Sequence, residues 1–330
     1  MKNTIKAVFV IIGTLIGAGF ASGQEIYSFF NIYKENGMIG IIISSLITGM
    51  VIYKVLKLTN NNINSYNELL ERKKNKEILK YIMNIIINIF LLMSFYIMVA
   101  GFTAYFKQEF DIPNIITAII IVILCYITFM KNIEGIAKIS SIIIPVLIII
   151  VLIIGIRANI FETVKTLDFK NIQISCNWLI KSIEYASYNS ILLLPILIGL
   201  KKYAKNNEKS ISAISTVIFL ILSVTIYLIL YNFGDMSDIE IPIVYIASGY
   251  GVAFKYIYGI VIIFAIYSTM ISAGYGFLTN CTKSKKTYKT LAMLICISAI
   301  FVSNFSFANL VNLTYPVFGL LGLIQFVYIL

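Results

Sequence analysis

Thirteen residues near the start of the chain hold its densest chemistry: Gly13-Thr14-Leu15-Ile16-Gly17-Ala18-Gly19-Phe20-Ala21-Ser22-Gly23-Gln24-Glu25. Mainly apolar residues, with Lys6 and Ser28 among them, run from Ile5 to Ile12 before it and from Ile26 to Phe30 after it. Four glycines, two hydroxyls, an amide and a carboxylate therefore sit where a continuous apolar helix would otherwise pass. A bilayer supplies no water to unpaired backbone groups, so such a stretch persists only inside protein or against a cavity. Glycine opens backbone angles outside the helical basin and lets a ligand approach the chain. The chemistry expected is binding by freed carbonyls and amides at a broken helix. The competing reading is a continuous helix whose small residues pack on a neighbour.

A second polar island, Glu184-Tyr185-Ala186-Ser187-Tyr188-Asn189-Ser190, interrupts another apolar run that resumes at Ile191 and contains Pro195. Ionisable groups at such depth are costly, which makes Glu25 and Glu184 functional candidates. Either could recognise a cation, carry a coupling proton or close a gate; for Glu184, Lys181 three residues earlier offers a local ion pair instead. There is no histidine, and Cys125, Cys176, Cys281 and Cys296 are isolated. Neither a metal site nor a disulfide framework follows, and Ser/His or metalloprotease chemistry is not expected.

The elements that must position these residues are membrane helices. The chain has 330 residues, 59% of them hydrophobic and 12% charged, with mean hydropathy +0.91; soluble domains carry about 25% charge. Ten segments of roughly bilayer-spanning length can be drawn, at 4–30, 38–58, 78–106, 113–130, 136–156, 174–200, 211–231, 250–278, 288–304 and 308–330. They predict one all-α transmembrane domain over 1–330 rather than a barrel. Ten divides into five and five, with repeat one at about 1–156 and repeat two at about 174–330. Inverted repeats pair the first segment with the sixth, so both are expected to be broken. With the N-terminus inside, 19 of the 26 lysines and arginines fall on the cytoplasmic side. The positive-inside rule thus predicts both termini in the cytoplasm of a bacterial inner membrane, and the net charge of +11 needs no nucleic-acid partner.

The glycine-rich stretch resembles the GTxIGAGFASGQE signature of YkvI-type bacterial membrane proteins, which look like a branch of the amino acid–polyamine–cation superfamily with the LeuT fold. The likeness in length and helix number spans the chain. It implies ten transmembrane helices in 5+5 inverted repeats, with helices 1 and 6 broken. Phe264-Ala265-Ile266-Tyr267-Ser268-Thr269 is similar to the Phe-Ala-x-x-Thr-Ser pattern of sodium-coupled members. That similarity implies one sodium ion on the carbonyls of Gly13, Ile16 and Ala265 and the hydroxyls of Ser268 and Thr269. Hard oxygens suit an alkali cation; the competing reading bonds both hydroxyls back to their own helix. A second sodium site of the family uses an Asn where this chain has Phe20, so one ion is the most that is implied.

A substrate held at both breaks would touch Thr14, Gly17, Ala18 and Gly19 from the first segment and Tyr185, Ser187 and Asn189 from the sixth. Half-helix amides favour a carboxylate and opposed oxygens an ammonium, which suits an amino acid or related small amine. Tyr96 and Tyr267 read as packing or interface anchors. The function expected is sodium-coupled secondary transport by alternating access, with no enzymatic activity and no organic cofactor. Proton-coupled or uncoupled transport is one alternative; a transporter-like sensor or receptor subunit that binds without transport is another.

Overall fold

The computed structural model describes residues 2–60, 77–130, 134–161, 176–282 and 284–329. Among the described residues there are helices and no strands. In chain order they are α1 (Lys2–Leu15), α2 (Ala18–Ser22), α3 (Gln24–Phe29), a 3-10 turn at Asn31–Tyr33, α4 (Glu35–Asn60), α5 (Glu77–Phe110), α6 (Asn114–Met130) and α7 (Glu134–Phe161). The second half follows as α8 (Cys176–Gly199), α9 (Lys201–Ala204), α10 (Glu208–Phe233), α11 (Pro242–Gly249), α12 (Val252–Cys281), α13 (Lys285–Val302) and α14 (Phe307–Ile329). The connections at 61–76 and 162–175, with Arg72, Lys73, Lys74, Lys76, Lys131, Lys165, Lys170 and Lys283, lie outside the described residues.

Among the described residues, five helices are long and apolar enough to cross a membrane: those at Glu35–Thr59, Tyr81–Phe110, Glu208–Phe233, Val252–Cys281 and Phe307–Ile324. Shorter apolar helices occupy Asn3–Leu15, Asn114–Met130 and Pro145–Ala158. Their surfaces are apolar. On α6, Ile115, Ile116, Ile119, Ile120 and Ile123 face outward, while Ala118, Ile121, Val122 and Cys125 are buried. A helix apolar on both faces has one face in the protein and one in lipid.

The first and sixth segments behave differently. In the first, the α1 ladder reaches Ile16 N–H donating to the Ile12 carbonyl at 2.8 Å, and Gly17 is extended (φ −78°, ψ −178°). Bonding restarts with Ala21 N–H on the Gly17 carbonyl at 3.0 Å. A second interruption falls at Gly23, whose φ of 87° suits a residue without Cβ. Three short helices result.

The sixth segment corrects the expectation of a second broken helix: α8 is helical from Cys176 to Gly199, straight through the polar island. Its polar side chains bond backward along the helix, which supplies partners without opening the backbone. Ser182 Oγ donates to the Trp178 carbonyl at 2.7 Å, Asn189 Nδ2 to Tyr185 at 2.9 Å and Ser190 Oγ to Ser187 at 2.6 Å. From outside, α14 lies against the island. A Cβ on Gly319 would stand 2.7 Å from the Glu184 carbonyl oxygen, and one on Gly322 2.7 Å from that of Ser187. Small residues thus allow the backbone approach that seals α8.

The helices pack so that α8 is flanked by α4 and α14, and α1 rests on α7, α8, α9 and α10. Helix α12 packs on α2, α5, α7 and α11. The broken segment is therefore central to the bundle.

Candidate functional site

Glu25, in the first turn of α3, is 3% exposed. Its Oε2 accepts the Tyr185 hydroxyl at 3.3 Å and its Oε1 the Tyr188 hydroxyl at 3.4 Å, and the Phe20 backbone amide also bonds the carboxylate. Tyr315 of α14 closes the fourth side: its ring stacks on Tyr188 at 4.6 Å between centroids. Gly19 makes this possible, because a Cβ there would strike Glu25 Oε1 and come within 3.1 Å of the Tyr315 hydroxyl. Phe29 joins from α3, 5.0 Å from the Tyr185 ring. Phe219 of α10 packs on both Phe20 and Tyr185 at 5.8 and 6.3 Å.

The expected substrate contacts divide. Gly19 and Tyr185 meet at Glu25, with Ala18 buried beside them. Thr14 bonds its own helix, Oγ1 to the Val10 carbonyl at 2.9 Å. Gly13, Thr14 and Gly17 are only half-buried, and a Cβ on Gly17 would meet nothing within 4 Å. Ser187 does not face the break: it is buried and donates to the Gly319 carbonyl of α14 at 2.7 Å. Asn189 is fully buried, with its Oδ1 lacking a partner.

Glu184 bonds Lys181 Nζ at 2.6 Å, one turn from Tyr185. The sodium candidates stand on two elements. Gly13 and Ile16 end α1; on α12, Ser268 Oγ donates to the Ala265 carbonyl at 3.1 Å, and Thr269 is half-buried. Tyr258 of α12 donates to the Ala21 carbonyl of α2, which ties α12 to the broken segment. Tyr96 bonds Ser298 at 2.7 Å and Tyr267 bonds Thr128 at 2.6 Å, both joining helices.

Sequence reasoning missed Tyr188 and Tyr315 as partners of Glu25. The i, i+3 spacing of Tyr185 and Tyr188 puts both on one helix face, a readable signal; nothing in the sequence ties Tyr315 to them. It also missed a hydroxyl stripe on α12, where Ser268, Ser272, Tyr275 and Thr279 are spaced by four, three and four residues and the last three are exposed.

Beyond α3, the connection between α10 and α11 is clasped to three helices, α3, α5 and α14. Tyr27 donates to Asp235 Oδ1 at 2.6 Å, and Gln24 Nε2 to the Ile239 carbonyl at 3.1 Å. Gln108 of α5 accepts Ile241 N–H at 3.0 Å, and Glu240 accepts Ala308 N–H of α14 at 2.8 Å. The Tyr27 hydroxyl and the Ser237 amide hold the Asp235 carboxyl below its usual range. A cavity of about 460 Å³ opens here, lined by Lys107, Gln108, Asp111, Asn114, Asp238 and Glu240 among others.

No family model matches the sequence. The chain is similar to the uncharacterized membrane protein YkvI of Bacillus subtilis (strain 168), 24% identical over 329 residues, covering 96% of this chain and 92% of the relative. YyaD of the same organism is 28% identical over 335 residues, covering 99% and 96%. Among solved structures, a mutant manganese transporter of Eremococcus coleocola superposes with TM-score 0.68 at 15% identity, over 98% of this chain and 77% of that one. A Na+-coupled sialic acid symporter in a substrate-bound, outward-open state gives 0.58 at 15%, over 96% and 75%.

Proposed function

We propose that this homologue of the YkvI and YyaD membrane proteins, sharing its fold with LeuT-fold transporters, is a secondary carrier of an amino acid or related small amine. The carrying observation is the interruption between Leu15 and Ala18 inside an apolar helical bundle, with Gly13, Thr14 and Gly17 half-buried. Backbone released from a helix at that depth needs a protein or water-filled surrounding. The open space at Gly17 supports the second. The exposed hydroxyls of Ser272, Tyr275 and Thr279 supply a wettable face leading away from Ser268.

In this reading the ten segments form five-plus-five inverted repeats in a bacterial inner membrane, both termini are cytoplasmic, and access alternates by rocking about the first segment. One sodium ion drives the cycle, held by the Gly13, Ile16 and Ala265 carbonyls with Ser268 and Thr269. The Ser268–Ala265 bond opens to admit it. Cargo meets Ala18, Gly19 and Tyr185 beside Glu25, and the wide space at Gly17 forms its path.

The test is uptake by proteoliposomes of amino acids and small amines under an imposed sodium or proton gradient. A solute accumulates under the sodium gradient, Gly17→Leu blocks it, and replacing Ser268 and Thr269 together with Ala removes the sodium dependence. Accumulation that survives Gly17→Leu, or none under either gradient, overturns the carrier reading.

A further inference from the structure

We infer that Glu25, with the rings of Tyr185, Tyr188, Tyr315 and Phe29, is a recognition site for an organic ammonium group. The inference rests on the carrier reading only in taking that group to be the cationic end of the cargo.

Glu25 is under-served where it stands. Charge-assisted O–H···O⁻ bonds run about 2.5–2.7 Å, yet its two tyrosine bonds are 3.3 and 3.4 Å. Among the described residues no lysine or arginine pairs with it. Lys181, which lies over the Phe29 ring of the same cluster, is taken by Glu184 at 2.6 Å. The groups facing Glu25 are uncharged from every side: Gly19 and the Phe20 amide from α2, Tyr185 and Tyr188 from α8, and Tyr315 from α14. A carboxylate set so deep in an apolar bundle asks for a cation that the chain does not provide.

The lining decides which cation. An alkali ion prefers a shell of hard oxygens, and here the tyrosine hydroxyls, two of them at 3.3 and 3.4 Å from the carboxylate, share the site with aromatic rings. What surrounds the carboxylate is aromatic. Centroids lie 5.0 Å apart for Phe29–Tyr185, 6.2 Å for Tyr185–Tyr188 and 4.6 Å for Tyr188–Tyr315, with Phe90 a further 6.0 Å from Tyr188. Ring faces attract ammonium groups within about 6 Å, and a carboxylate among them adds the opposite charge. The cluster already holds one ammonium this way, since Lys181 Nζ lies 5.9 Å over the Phe29 ring. In the closed arrangement the tyrosine hydroxyls occupy the position that an ammonium takes when the rings part. Two long bonds then give way to one charge-assisted bond.

Thermal unfolding of the full-length protein in detergent tests the site, with ethylammonium and tetramethylammonium chloride as probes against equal potassium chloride. At least one ammonium raises the wild-type Tm, because a ligand of the native state stabilises it by mass action. The apparent affinity weakens about tenfold or more in Glu25→Gln. Tyr188→Leu, which removes a ring, weakens it about threefold. Tyr188→Phe, which keeps the ring, leaves it within about twofold. If Glu25→Gln does not fold, the Tyr188 pair decides. No rise with either probe, an equal rise in Glu25→Gln, equal weakening in Tyr188→Leu and Tyr188→Phe, or a Tm that responds to pH alone would each overturn the proposal. The carrier reading fails separately: uptake can be absent while the ammonium shift persists, and the shift can be absent while uptake proceeds.

Discussion

Two segments with similar polar content take opposite shapes. Residues 13–25 fall into three helices, while α8 carries Glu184 to Ser190 without a break. The difference lies in what the polar groups find to bond and in what leans on them. In α8 the Ser182, Asn189 and Ser190 side chains donate to the preceding turn and Ser187 donates to α14, whose Gly319 and Gly322 bring a neighbouring backbone onto the island. In the first segment, Gly17 faces open space and Gly23 takes a left-handed conformation against Ile243. Polarity within an apolar run therefore does not break a helix; lack of a sealing neighbour, combined with glycine, does.

Adding one methyl group at chosen glycines sharpens this comparison. The largest effect is expected at Gly319, where a Cβ meets the Glu184 backbone oxygen at 2.7 Å and neither backbone can give way. Gly319→Ala should cost about 1–3 kcal/mol by overpacking, read as a lower Tm of the purified protein. An unchanged Tm would mean that α14 does not seal α8.

Gly23→Ala comes next. Its φ of 87° costs a residue with Cβ about 1–2 kcal/mol, and the methyl would also press Ile243 Cγ1 at 2.8 Å. Thermal melts again read the loss; a neutral result would remove the left-handed residue as the cause of the second interruption. Ser187→Ala, which takes away the bond to Gly319, should cost about 1 kcal/mol.

Gly17→Ala is the smallest and opposite in sign. Extended φ and free space accept the methyl, so stability should hold or rise by about 0.4–1 kcal/mol through a less flexible unfolded chain. A clear loss of Tm there would show that Gly17 is closely packed, against the reading of an open face.

Much of this architecture was legible in the sequence. Run length marked the apolar character of the chain, five helices of which are long and apolar enough to cross a membrane among the described residues, and the glycine-rich stretch 13–25 contains the gap between Leu15 and Ala18. The sixth segment misled because its sealing partner, Gly319, lies 132 residues from Ser187. Local pattern cannot weigh a neighbour so distant. The Glu25 cluster was half visible: carboxylate and Tyr185 stood in the two polar stretches, but Tyr315 reaches them only through the packing of α14 on α3 and α8. Ser187, expected among the substrate contacts, bonds the Gly319 carbonyl of α14, a partner equally remote in the sequence.

The clasp on the α10–α11 connection makes the two arms of the first segment mechanically unequal. The arm carrying Gln24 and Tyr27 is stitched by polar bonds to a loop that Gln108 and Glu240 pin in turn to α5 and α14. The α1 arm lies in its groove on Ala7, Val8, Ile11, Ile12 and Leu15, side chains that slide without breaking directional bonds. Any swing about Gly17 is thus carried by α1, with α2 and α3 as the fixed jaw. That jaw includes Glu25, so such a swing would leave the carboxylate where it stands.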